Sequence, residues 1–169
     1  VPPSFTDGSD VFNNIGTTTD GKGSTGSIDA SDNTLSRADL AAAGAAPGAR
    51  LPLGTTGVTY TWPDAAPGAP DNWVPHGQSV PMGVRVEKIS FLGLATNGPA
   101  KGTATVVYTD GTRQDVQVEL TDWTPGTSYQ FGNVPVVTTT GRNKANGTKD
   151  TTQAKVFGTV PVLVDPTRT

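Results

Sequence analysis

A carboxylate, an amide, an indole and an imidazole stand close together at Asp71, Asn72, Trp73 and His76. These are the groups with which a protein holds a sugar: an aromatic face stacks on the ring, and carboxylate or amide oxygens take its hydroxyls. Arg142 and Asn143, with Asn146 beyond them, form a second polar cluster in a Gly-rich stretch. Each group also has a plainer use. A loop tryptophan can cover a core edge, and polar loop side chains can simply be solvated.

Other chemistry is narrowly bounded. His76 is the sole histidine and there is no cysteine, so zinc sites, thiol chemistry and Ser-His or Cys-His nucleophile systems are effectively excluded. The only glutamates, Glu87 and Glu119, fall at polar-facing positions of expected strands, a poor arrangement for a glycosidase carboxylate pair. No phosphate loop or dinucleotide fingerprint occurs. Calcium is the one metal the chain could hold, through Asp7, Asp10, Asp20, Asp29 and Asp32 with loop carbonyls. The competing reading gives those aspartates to turns and Asx caps. Asn146-Gly147-Thr148 matches the glycosylation sequon.

Positioning such groups requires a fold, and composition restricts it. The 169 residues suit one domain with a full core. Only 16% are charged, the net charge is −3 and the pI about 4.9, which leaves no basic footprint for nucleic acid. No apolar run approaches the ~20 residues of a membrane span. With 21 Gly and 14 Pro punctuating β-type runs, the chain reads as all-β. Abundant Thr, Gly, Asn and Asp with few Lys fit a secreted, extracellular bacterial protein. The start at Val1-Pro2-Pro3 suggests a domain excised from a longer protein, with residues 1–4 a linker stub and 5–169 the domain.

Along the chain, Phe5 to Ile15 reads as a first strand broken at Asp7-Gly8, and Gly16 to Asn33 as a long polar stretch. Ser36 is placed to cap one short helix, with Asp39 at the third position, Leu35 and Leu40 as a staple and Gly44 as the stop. Val58, Tyr60 and Trp62 share one strand face, which assigns Trp62 to the core; Pro63, Pro67 and Pro70 stiffen the loop that follows. Apolar parity switches between Val86 and Ile89, the mark of a bulge or break. Thr103 to Leu120 reads as a hairpin. A three-residue loop, Thr109-Asp110-Gly111, puts Ala104, Val106 and Tyr108 on the same face as Val116, Val118 and Leu120. Tyr129 to Val137 and Lys155 to Val164 read as strands, with a polar excursion over Gly141 to Thr152 between them. About eight strands and one short helix predict an antiparallel β-sandwich, jelly-roll-like.

The order of Phe12-Asn13-Asn14-Ile15-Gly16, Leu40-Ala41-Ala42-Ala43-Gly44, Tyr60-Thr61-Trp62-Pro63, Gly68-Ala69-Pro70-Asp71-Asn72, Ser90-Phe91-Leu92-Gly93, Tyr108-Thr109-Asp110-Gly111-Thr112, Asp122-Trp123, Arg142-Asn143 and Val156-Phe157 carries a resemblance. It resembles the β-sandwich, galactose-binding-like accessory domains of secreted actinobacterial glycoside hydrolases. The resemblance implies a jelly roll, a non-catalytic role, carbohydrate as ligand and the parent's catalytic domain as partner. It also implies an alternative, since many such modules only support or space the catalytic domain. Asp71-Asn72 and Arg142-Asn143 match the pattern, whereas Trp73 and His76 are particular to this chain. Similar domains continue with another strand after a turn such as Asp165-Pro166, so either that strand is dispensable or an edge is left for a neighbouring segment to fill.

Overall fold

The structure is a computed structural model that describes residues 9–169. The linker stub, Phe5 and Asp7 lie outside the described residues. The fold is all-β with one short helix, and its strands are brief and mostly antiparallel.

In chain order they are β1 (Thr17–Thr18), β2 (Thr34–Ser36), the helix α1 (Arg37–Ala42), β3 (Arg50–Pro52), β4 (Thr59–Thr61), β5 (Lys88–Ile89) and β6 (Leu92–Gly93). The long hairpin β7 (Ala100–Val107) and β8 (Arg113–Leu120) follows. The remainder are β9 (Val134–Thr138), β10 (Arg142–Asn143), β11 (Lys149–Asp150), β12 (Lys155–Gly158) and β13 (Val162–Leu163). They pair as one four-stranded sheet, β1-β2-β10-β11, one three-stranded sheet, β6-β12-β9, and three two-stranded pairs, β13-β5, β3-β4 and β7-β8. Among the described strands β1 and β2 are the one parallel pair, and an isolated bridge between Ala95 and Asp122 is parallel too. The two broad sheets expected of a jelly roll are not seen: among the described residues the strands form five separate sheets.

Several local expectations hold. The Asp39 amide donates to Ser36 Oγ at 3.2 Å, and the staple leucines Leu35 and Leu40 are buried. Tyr60 and Trp62 are buried while Thr59 and Thr61 face solvent. The hairpin keeps the three-residue register: Ala104 stands opposite Val116 and Gly102 opposite Val118, with Gly111 at φ +84° closing the turn.

Other segments differ. Between Ser9 and Ile15 there is a 3-10 turn and one isolated bridge, from Asn14 to Asn72, in place of a strand. The expected strand Tyr129 to Val137 begins only at Val134, and Lys155 to Val164 is divided at Thr159–Pro161 into β12 and β13. The polar excursion over Gly141 to Thr152 is itself a hairpin, β10-β11, inside the four-stranded sheet. Two-residue strands show no alternation, so period alone cannot reveal them.

The core gathers Leu35, Leu40, Leu51, Leu53, Tyr60, Trp62, Trp123, Val137 and Val156. Trp123 and Phe157 are the largest fully buried side chains. The break in parity before Ile89 is a true interruption: Val84 to Glu87 carry no strand, and β5 opens at Lys88.

Candidate functional site

Asp71 is the pivot of the first cluster, and it turns inward. Its Oδ1 accepts the Gly16 amide at 2.8 Å and its Oδ2 the Thr17 amide at 2.9 Å. Its own amide donates to the Asn14 carbonyl at 2.9 Å. Asn72 completes the latch, giving Nδ2 to Asp71 Oδ1 at 2.7 Å and taking Asn14 Nδ2 at 3.2 Å. Gly16 leaves room for the latch, because a Cβ there would stand 2.4 Å from Asn72 Nδ2 and push that amide aside. The latch joins two stretches far apart in sequence, Asn13-Asn14-Ile15-Gly16 and Pro70-Asp71-Asn72. Charge-assisted bonds of this kind are about twice as strong as neutral ones, and here they fix where β1 enters the sheet.

The far end of the loop is open. Trp73 is half-buried, its ring 6.2 Å from that of Phe12 at 51°. Asn13 clamps the next residue as a strand would: its Nδ2 donates to the Val74 carbonyl at 2.9 Å, and its Oδ1 accepts the Val74 amide at 2.7 Å. His76 is exposed, with Nδ1 3.0 Å from Asn13 Nδ2 and 3.2 Å from the Val74 carbonyl.

The second cluster is internal too. Asn143 is fully buried and donates to the Thr18 carbonyl and hydroxyl, each at 3.1 Å. Arg142 lies over the Trp123 ring, 5.2 Å from its centroid, and bonds Asp150 through Nη2 at 2.9 Å. Asp29 stands 3.8 Å from its Nη1. The structure joins both predicted clusters through β1, since Thr17 meets Asp71 and Thr18 meets Asn143. Asp71, Arg142 and Asn143 therefore turn into the fold, Asn143 bonding through Nδ2 while its buried Oδ1 has no partner, and His76 and the half-buried Trp73 remain at the surface.

The concave feature beside this loop is an open groove of about 550 Å³ lined by Asn13, Asn14, Ile15, Thr25, Gly26, Ser27, Asp32, Pro70 and Ala145. Of these residues Asp32 alone stands among the sequence-derived candidates, as a calcium ligand. The Asn13-Asn14 pair was the available signal. Asp32 is exposed and left-handed, φ +54°, at the groove edge.

Several other aspartates have defined work. Burial opposes ionisation of Asp20, but bonds from Ser36, Lys149 and Asn143 outweigh it and hold its carboxyl below the ordinary value. For Asp39 burial is again outweighed, here by Lys149 and Thr140. For Asp29 it is outweighed by the Asn33 side chain and the Asn33 and Ser31 amides, with Arg142 adding to them. Lys149, hydrogen-bonded to Asp39 and Asp20, is pushed up. Four turns repeat one motif, in which an Asx Oδ1 takes both the amide and the hydroxyl of the threonine two residues on: Asp110–Thr112, Asp122–Thr124, Asn146–Thr148 and Asp165–Thr167. Among the described residues, no three His, Asp or Glu side chains are grouped as a metal set. No helix among them is long and apolar enough to cross a membrane.

No protein-family model matches the chain, and no curated protein matches it.

Proposed function

We propose that this chain is a non-catalytic carbohydrate-binding module of a secreted glycoside hydrolase, holding the catalytic domain near its glycan. The observation that carries this reading is the groove of about 550 Å³ lined by the polar side chains Asn13, Asn14, Thr25, Ser27 and Asp32 beside Ile15, Pro70 and Ala145, with Asn13 also binding Val74 of the loop that follows Trp73. An open groove suits a chain of sugar rings better than a small enclosed ligand. Binding at a single shallow site is weak and becomes useful through tethering to a catalytic domain. Calcium plays no part in this reading: Asp20 and Asp29 are engaged by side-chain and backbone donors.

A second reading, a structural module that packs on or spaces the catalytic domain, is favoured by one specific observation. Asp71, Arg142 and Asn143, three of the residues that match the accessory-domain pattern, are internal ties. Glycan-array binding followed by calorimetry separates the two. The binding reading expects a positive class of polysaccharide, with affinity reduced at least tenfold by Trp73→Ala and by Asp32→Ala. Silence across the array favours the structural module, and binding indifferent to both changes places the sugar away from this groove.

A further inference from the structure

The hairpin β7-β8 stands apart from the other sheets, and its two outer edges are unequal. Tyr108 takes its partner across the turn, its amide donating to the Thr112 carbonyl at 2.9 Å. Alternation then gives the even residues of β7 to the β8 ladder and points the amides and carbonyls of Lys101, Thr103, Thr105 and Val107 away from it. Among the described residues those outward groups have no backbone partner. The strand is exposed along most of its length, Val107 at 59%, and a Cβ built at Gly102 meets nothing.

Exposed edges are normally blunted by proline, a bulge, charge or a covering segment. The β9 edge carries Pro135. The β8 edge carries Arg113, Asp115 and Glu119, and Asn133 Nδ2 caps the Glu119 carbonyl at 3.1 Å. The β7 edge has none of these over Gly102-Thr103-Ala104-Thr105-Val106-Val107, and its ladder is unbroken from Ala100 to Val107. Its single charge, Lys101, is at one end and is paired with Glu119 at 2.7 Å.

We infer that β7 is a self-association edge, pairing antiparallel with β7 of a second copy about a two-fold axis through Ala104. That register is self-complementary. Thr103 meets Thr105 of the other copy, Lys101 meets Val107, and every outward amide and carbonyl of both strands finds a partner. It also keeps the two lysines at opposite ends, so no like charges face each other. The neutral, β-branched centre suits a copy of itself better than a charged segment. The result is a continuous four-stranded sheet, β8-β7-β7-β8, with two-fold symmetry of the commonest kind.

The test is sedimentation of the full chain over a concentration series, with three variants. Thr105→Pro removes an outward donor that the β7-β8 ladder does not use. Thr103→Lys with Thr105→Lys places like charges across the axis while leaving the solvent face polar. Ala104→Cys puts two thiols on the axis, where facing residues have Cα atoms about 4.5 Å apart, within disulfide reach; the chain has no cysteine to compete. The inference expects a doubling of mass with rising concentration, loss of the dimer in both edge variants, and oxidative cross-linking of Ala104→Cys but not of Thr103→Cys. A wild-type chain monomeric throughout overturns it, whether or not the edge takes some other extended peptide. So does a dimer that survives both edge variants, or cross-linking equal at the two cysteine positions.

Discussion

Asp71 shows how one side chain can be read in two ways. Beside Asn72 and Trp73 it has the chemistry of a sugar contact, yet both its oxygens are taken by the Gly16 and Thr17 amides. Asp71→Ala leaves two buried donors unpaired and is expected to cost about 3 kcal/mol, measured by denaturant unfolding. Asp71→Asn keeps an acceptor but loses the charge, and should cost clearly less. A neutral outcome for Asp71→Ala would mean the latch does not hold β1. Residue types were fully legible from sequence, but their direction was not. Whether a carboxylate faces solvent or a backbone far along the chain depends on tertiary approach, and the only local hint was Gly16, which yields the space Asn72 needs. Arg142 is a similar case, since its partners Asp150 and the Trp123 ring come from elements that period does not announce.

At the scale of elements, the signals that could be read were those with local chemistry. The α1 cap, the β4 face and the β7-β8 register all follow from spacing within a few residues, and all appear in the structure. The short strands β1, β10 and β11 were not legible, because two residues define no period and their sheet depends on pairings with β2. Ser36→Ala should cost about 1 kcal/mol as a lost cap, and somewhat more if the Asp20 contact at 2.5 Å contributes. Gly111→Ala forces a left-handed residue with a Cβ at φ +84° and should cost about 1 kcal/mol without changing the hairpin register. Cross-strand contacts in a nuclear Overhauser spectrum check the register. A slip by one residue would turn Val116 outward.

At the scale of the whole molecule, five small sheets are tied by side chains as much as by ladders. Lys149 is one such tie, spanning β1's following turn, the α1 cap and β11 through Asp20, Ser36 and Asp39. The carboxyls of Asp20, Asp29, Asp39 and Asp150 are held below 3.8 in the folded protein. The unfolded chain thus binds protons that the folded one does not, and stability is complete above 3.8 and lost as pH falls through it toward the lower folded values. Lys149 is held above 10.5, so its contribution is complete below 10.5 and lost as pH rises through its folded value. Thermal unfolding should therefore be flat across neutral pH and fall at both ends. Lys149→Met should lower the plateau and shallow the alkaline limb; an unchanged alkaline limb would contradict the assignment.

The proposed role makes the same loop and groove the place where ligand is met. Trp62 and Trp123 are buried, so of the three tryptophans Trp73 is the one placed to report. The decisive measurement is a ¹H–¹⁵N correlation spectrum of the labelled chain titrated with oligosaccharides from each polysaccharide class on the array. Saturable shifts are expected at the Trp73 indole and at the Asn13, Asn14, Ser27 and Asp32 signals, with β7 and β8 unmoved. A spectrum unchanged at saturating sugar, or shifts confined to residues away from that groove, would contradict the proposed role.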